Sequence, residues 1–596
     1  MIFGKHINRY YLRYLPVLLL GIVSLLLVDI LQLKIPEFYN LIVNGMNGGV
    51  VELDGNKLAF DMTLLIEHVC IPMLFVIVLM TFGRFLWRIC FFGSAIRVET
   101  DLRRRMFAHA ETLSQNFYGK NKVGSLMSLF TNDLETVQEC FGMGIMMFGD
   151  ALLLGTLAII KMWRMHGLLT LLSLIPMAFM LLIGTLVGKA MMIKWRERQE
   201  VFSALSDFTQ ENFSGFAVVK AFVKEASELL AFRALNAKNE RANVTYTKIS
   251  TLLRVSVTLF VESVICIILG YGSYLVHLGV FNAGELVEFI GYFTAIIWPV
   301  MAISELIDLS SRGGASLGRI SAFLNEISDV TDGSATQEAP DVLVGEVELR
   351  SLSFRYPDGG ADALRELSLH IRAGEHVGIV GKTGSGKTTL ADLLLRTYNV
   401  PDGTVMLDGH DINAIPLRTV RKNIAYVPQD NFLFSDTIAR NIAFSLSSDE
   451  DGTLDAVKNA AALADVHEHV LAFHDGYDTV LGERGVTVSG GQKQRISIAR
   501  ALVKDAPILI LDDAVSAVDT ATEQTILQNL RSTREHKTTI MIAHRISTVE
   551  RMDKIAYLED GALTAFGTHE ELMASCEGYR SLVELQKLEE GGKHNA

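Results

Sequence analysis

Residues 381–389 read GKTGSGKTT, between an apolar run, 376–380, and a stretch of helical character, TLADLLLRTY. A glycine-rich turn from a strand into a helix leaves successive backbone N–H groups pointing inward, with the positive helix terminus behind them. Such a turn is a cradle for phosphate oxygens. Gly381, Lys382, Thr383, Gly384, Ser385, Gly386 and Thr389 supply its backbone. Lys387 adds a point charge for the β- and γ-phosphates, and the Thr388 hydroxyl is placed to ligate Mg²⁺. Two further strings carry compatible chemistry. ILILDD, residues 508–513, is an apolar strand ending in two carboxylates, and Asp512 is positioned to hold Mg²⁺ through its water shell. VSGGQKQRISIARAL, residues 488–502, places Ser489, Gly490, Gly491 and Gln492 at the start of a helix, a second set of N–H donors for phosphate.

These residues need a scaffold that brings strand ends and helix starts to one edge. Residues 347–354, 368–371, 377–380, 404–407, 424–427 and 508–511 read as strands alternating with helical stretches, the pattern of an α/β nucleotide-binding domain. Residues 325–343 are polar, with Pro340 and no apolar period, and read as a linker.

The remainder is membrane-like. Hydrophobic residues make up 49% of 596, and six apolar runs come near the length that crosses about 30 Å of hydrocarbon. They centre on 16–33, 64–85, 144–162, 168–186, 259–276 and 286–307. Long and short connections alternate, so the long ones share one side. Those long connections carry Arg97, Arg103, Arg104, Arg105, Lys120 and Lys122, then Lys194, Arg196, Arg198, Lys220 and Lys224 among others, which places them in the cytoplasm with the N-terminus. Lys161 and Arg164, in the short opposite turn, break that rule locally. The basic, aromatic start MIFGKHINRYYLRY is expected to lie at the interface, ahead of a retained span rather than a cleaved leader. A net charge of −13 speaks against nucleic acid as a partner, and five scattered cysteines imply no disulfide framework or zinc site. The helical connections beyond the membrane are expected to contact the nucleotide-binding domain through residues 116–125 and 211–225.

Taken together, the strings resemble those of an ATP-binding cassette (ABC) exporter half-transporter, and the likeness runs over essentially the whole chain. VSGGQ is similar to the ABC signature, with Val488 for the leading leucine. The resemblance implies an all-α membrane domain with six transmembrane helices, residues 1–324, and an α/β P-loop ATPase domain of ABC type, residues 344–585, with 586–596 a disordered tail. By the same resemblance Tyr356 in SFRYP stacks on adenine, and Gln429 in YVPQD senses Mg²⁺. His544 in IAHR contacts the γ-phosphate, Asp519 in SAVD is the D-loop aspartate, and GERG at 482–485 meets the coupling helices. The implied cofactors are ATP and Mg²⁺. The implied partners are a second ABC half-transporter, membrane lipid and a transported small molecule, lipid or peptide.

One residue departs from the family pattern. Where a glutamate general base is usual, this chain has Asp513, shorter by a methylene. Misplacement by about 1 Å can cost on the order of 10²-fold in rate. Paired with an intact signature, a weakened base suits a heterodimer resembling bacterial multidrug exporters with one degenerate site. The alternatives are a homodimeric lipid or peptide exporter in which Asp513 is a competent base, and an ATP-gated channel or sensor. Glu262, inside the fifth run, is expected to face the bundle interior or a water-filled cavity, binding cationic substrate or pairing with Asp29, Arg84, Arg88 or Glu288.

Overall fold

The computed structural model describes residues 4–53, 56–332, 341–446, 453–482 and 488–593. It divides into two compact units, Met1–Glu111 with Val123–Glu326, and Thr112–Lys122 with Ile327–Ala596.

The first unit is built from helices α1 (Asn8–Arg13), α2 (Leu15–Gln32), α3 (Ile35–Gly48), α4 (Ile71–Ala110), α5 (Leu134–Met165), α6 (Gly167–Ser214), α7 (Glu225–His277) and α8 (Ala283–Asn325). Pro16 and Pro36 sit in the first turns of α2 and α3, where a missing N–H costs nothing. Asn282 and Glu285 form a capping box that starts α8. A hairpin of β1 (Val50–Leu53) and β2 (Asn56–Ala59) precedes α4. Among the described residues five segments are long and apolar enough to span a membrane: Leu15–Gly48, Met62–Ala110, Val123–Met165, Glu225–His277 and Ala283–Asn325. The expected fourth run, 168–186, falls in α6, whose 48 residues reach about 70 Å at 1.5 Å per residue. His166 alone joins α5 to α6, accepting a hydrogen bond from the Leu169 N–H at 3.2 Å. Lys161, near that turn, donates to Glu37 of α3 at 2.7 Å, so its charge is paired where the basic-residue rule disfavours a free one.

Close approaches set the register of α2 on α4. A Cβ on Gly21 would meet the Phe91 ring at 2.8 Å, and one on Gly83 would meet Val28 at 2.7 Å. Small residues thus let these antiparallel helices touch, as helices packed in lipid require.

The second unit holds two sheets. In the six-stranded one the order is β12-β11-β5-β10-β9-β8, and in the four-stranded one β4-β3-β6-β7. The strands are β3 (Val347–Phe354), β4 (Leu364–Ile371), β5 (His376–Gly381), β6 (Val405–Leu407), β7 (His410–Asp411), β8 (Ile424–Val427), β9 (Ile508–Asp512), β10 (Thr538–Ile542), β11 (Lys554–Glu559) and β12 (Ala562–Gly567). β5, β8, β9, β10 and β11 run parallel, and β5, β9 and β10 are buried along their whole length, as suits a sheet covered on both faces. Helix α9 (Lys387–Leu394) follows β5, α10 (Gly490–Leu502) precedes β9, and α11 (Thr520–Thr533) follows β9. The short helix Gln115–Lys120 belongs to this unit. Asn116 donates to Asp329 at 2.8 Å, and Lys120 pairs with Asp358 at 3.4 Å.

Two sequence expectations need correction. The last helix, α12 (Glu577–Lys593), carries regular structure through most of the segment expected to be a disordered tail. Of the two readings of Glu262, internal pairing is the one that fails: the residue is exposed on α7 and forms no ion pair among the described residues. Its expected partners are engaged elsewhere: Asp29 hydrogen-bonds Asp150, Arg84 donates to Gln32 at 3.3 Å, and Glu288 accepts from Tyr292 at 2.7 Å.

Candidate functional site

The cradle forms where β5 turns into α9. Gly386 caps the helix at φ +92°, in the left-handed region, and a Cβ there would strike the Ala363 carbonyl at 2.7 Å. A Cβ on Gly381 would lie 2.2 Å from the Leu558 carbonyl oxygen. Lys387 is only 5% exposed, and its ammonium donates to the carbonyls of Gly381 at 2.8 Å and Lys382 at 2.9 Å. The loop is thereby closed on its own lysine. Burial pushes that ammonium below the usual lysine value, while the carboxylates of Asp512 and Asp513 pull the other way. Ser385 is buried, and its hydroxyl has no hydrogen-bond partner among the described residues.

Asp512 ends β9, directly beside β10 and one strand from β5. It is 2% exposed, its side chain hydrogen-bonds Thr388, and its Oδ2 has no partner among the described residues. Burial raises its carboxyl above the ordinary range, against the hydrogen bond from Thr388 and the charge of Lys387. A buried orphaned oxygen next to a hydroxyl fits a hard cation with oxygen ligands. No group of three or more His, Cys, Asp or Glu that could hold a metal occurs among the described residues, so phosphate oxygens and water would have to complete the shell. That is the habit of Mg²⁺.

Asp513 is half-buried with φ +50°, a left-handed backbone that aspartate tolerates better than most residues. Its N–H donates to the Ile542 carbonyl at 2.9 Å, and its own carbonyl accepts from the Ser516 hydroxyl at 3.0 Å and the Gln494 amide at 3.3 Å. His544 follows the end of β10 and is exposed, close enough to lower the Asp512 carboxyl. Gln429 lies exposed just beyond β8. Tyr356 is half-buried; its hydroxyl donates to Thr389 at 2.9 Å and its ring meets Phe354 and Tyr398 edge-on.

Two residues of the cradle have side chains engaged elsewhere. Lys382 pairs with Glu559 at 3.0 Å, and Thr389 is taken up by Tyr356, so these residues offer the cradle backbone only. At the start of α10, Ser489 accepts from the Gln492 N–H at 3.2 Å and Gln492 accepts from the Ser489 N–H at 2.9 Å, a capping box that opens the helix. Ser489 and Gly490 are exposed. Asp519 caps α11 through the Thr522 N–H at 3.1 Å. Of the expected loop 482–485, residues 483–485 lie outside the described residues.

Residues 364–516 match the family model described as ABC transporter, and residues 18–300 match the ABC transporter transmembrane region. A probable multidrug resistance ABC transporter ATP-binding/permease protein of Bacillus subtilis, YheI, is 37% identical over 99% of this chain and 98% of its own. The multidrug resistance-like ATP-binding protein MdlA of Escherichia coli is 33% identical over 98% of this chain and 96% of its own. The chain belongs to the ABC transporter family. A bacterial Atm1-family ABC exporter with ATP bound superposes with a TM-score of 0.75 at 26% identity, over 97% of this chain and 98% of that one. The protein is a multi-pass ABC transporter whose nucleotide-binding domain couples ATP hydrolysis to transport.

The ABC fold also reveals residues that the motifs did not flag. Gln494, 6% exposed on α10, donates to the Asp513 carbonyl and to Ser516 at 3.1 Å, and accepts from the Ala517 N–H at 2.8 Å. It ties the signature helix to the carboxylate loop. Gln586 of α12 donates to the His544 carbonyl at 2.6 Å and accepts from the Ile546 N–H at 2.8 Å, bracketing the histidine's backbone. Asp392 on α9 is pushed up to about 6 by burial and by Asp512. The GGQKQ string held a visible pointer to Gln494. Nothing local pointed to Gln586, which lies 42 residues from His544.

Proposed function

We propose that this ABC transporter exports a drug-like small molecule, lipid or peptide across the cytoplasmic membrane as one half of a heterodimer, with its own ATP site weakened at Asp513. The observation that carries the weakening is the anchored backbone of Asp513. With its N–H and carbonyl both hydrogen-bonded, the loop is held from advancing to make up the missing methylene. A general base is worth about 10² to 10⁴ in rate, so turnover at this site falls while binding is spared.

In this reading Lys387 and the amides of residues 381–388 hold the phosphates, and Tyr356 stacks on adenine. Thr388, Asp512 and Gln429 hold Mg²⁺, which when bound neutralises charge on the phosphate oxygens. Asp513 takes the proton of the attacking water, and His544 contacts the γ-phosphate. The amides of Gly490 and Gly491, between the capping residues Ser489 and Gln492, face the nucleotide of the partner cassette. Exposed apolar side chains support a partner: on α6 and on the short turn before α7, Phe213, Phe222 and Val223 are 76%, 70% and 79% exposed. The bias of basic residues toward the long connections supports a cytoplasmic N-terminus and ATPase domain. The names of the relatives favour amphipathic drugs as cargo, and the exposed Glu262 on α7 favours cationic ones.

Transport in inverted vesicles tests the reading. A cationic dye should accumulate only with ATP and in proportion to hydrolysis, and Lys387→Ala should stop both. Dye flux that outruns hydrolysis would mark a gated channel instead.

A further inference from the structure

The amphipathic start of the chain builds a pocket that the nucleotide chemistry does not use. Tyr10 of α1 is buried and donates its hydroxyl to Asp101 of α4, pinning the short helix to the long one. Beside this anchor lies a cavity of about 400 Å³ lined by Arg9, Tyr10, Arg13, Asp101, Arg104 and Arg105. Four guanidiniums therefore face one carboxylate. Asp101 is already shared between Arg9 at 3.2 Å and Arg104 at 2.7 Å. Glu99, two residues before Asp101, is taken by Arg103. Arg105 meets His6 at 3.5 Å through one terminal nitrogen, and its other terminal nitrogen is buried with no hydrogen-bond partner among the described residues. Arg13 makes no ion pair among the described residues and rests near the Tyr14 ring. A buried charged donor without a partner is costly, so the pocket suits an anion.

The helix register sets its depth. Residue 21 meets 91 and residue 28 meets 83 across α2 and α4, and the same antiparallel pairing carried outward brings Tyr10 opposite Asp101. The apolar span begins at Leu15. Residues 9–13 thus lie within about 10 Å of the hydrocarbon edge, at headgroup depth. Planar guanidinium forks match phosphate oxygens two at a time.

We propose that Arg9, Arg13, Arg104 and Arg105 form a binding site for a phosphate group, supplied by the headgroup of an anionic lipid and clamping α1 against α4. The chemistry alone would also admit a soluble phosphate, and the test separates the two. The assembled transporter, stripped of native lipid in neutral detergent, is titrated with dioleoyl phosphatidylglycerol, dioleoyl phosphatidylcholine or inorganic phosphate, reading bound lipid by native mass spectrometry and the unfolding temperature. Phosphatidylglycerol should be retained in preference to phosphatidylcholine and should raise the unfolding temperature, with millimolar inorganic phosphate failing to displace it. Arg13→Gln, which breaks no ion pair and so spares folding, should weaken retention about fivefold, and Arg13→Gln with Arg105→Gln further still. Arg97→Gln, outside the pocket, should change nothing. Displacement by inorganic phosphate would keep the phosphate site and overturn the lipid as its source. Equal retention of the two lipids, or an Arg13→Gln variant that binds like the parent, would overturn the site itself.

Discussion

The two helix starts proposed to meet phosphate differ in how complete they are. The cradle at residues 381–388 is closed on itself: Lys387 is buried and bonded to loop carbonyls, Thr388 reaches Asp512, and burial perturbs both charged groups. The start of α10 is the reverse, an exposed helix terminus whose capping box fixes its shape and leaves its first amides outward. A site whose parts already bond one another can hold nucleotide alone. An open terminus acts only when another chain brings a nucleotide to it. Binding should therefore follow the cradle, and turnover in the assembled transporter should follow the signature.

The largest effect that would break this contrast is at Lys387. Lys387→Ala removes the ammonium and both loop bonds, and should weaken nucleotide affinity by about 10- to 100-fold, as expected for charge-assisted hydrogen bonds. Equilibrium dialysis of the purified chain checks it, and unchanged affinity would dissolve the distinction between the ends. Next comes Gly490→Asp at the signature. It should leave this chain's nucleotide affinity within about twofold, yet cut ATPase of the assembled transporter by about 10²-fold, the scale for losing one oriented donor set. Gln494→Ala sharpens the comparison, because that side chain bridges the two ends. Leaving the Ala517 amide and the Asp513 carbonyl short of a partner should cost about 1–3 kcal/mol of domain stability by denaturant melts and lower turnover with it. The smallest expected change is at Gln586. Gln586→Ala should reduce kcat about threefold with KM for ATP unchanged, a loss near one ordinary hydrogen bond, with Gln586→Glu, which keeps only the acceptor, in between.

Both ends were legible in the sequence because each is a local string. A phosphate loop needs its glycines, lysine and hydroxyl within nine residues, and a cap needs Ser489 and Gln492 three apart. The six expected strands are all present, β4 longer than read by four residues at its start. The hairpin β1–β2 and strands β7, β10, β11 and β12 lie outside those six. β10 is buried along its whole length and shows no alternation to separate it from the core of a helix. Long-range pairing was the other gap. Asp29 meets Asp150 rather than Glu262 because glycine contacts fix how α2 sits among its neighbours, and no periodicity in one helix encodes that register. The tail failed for a related reason: Gln586 and Val583 tie α12 to the domain through residues far away in sequence.

The most direct measurement is the ATPase rate of this chain purified alone in lipid, beside Asp513→Glu and beside the chain co-expressed with a candidate partner. The account predicts a nearly inactive chain that still binds ATP, a gain of 10-fold or more, roughly, from the added methylene despite a small stability loss at the left-handed backbone, and full activity with the partner. Brisk turnover by the chain alone, abolished by His544→Ala and unimproved by Asp513→Glu, would contradict it and make Asp513 a competent base in a homodimer.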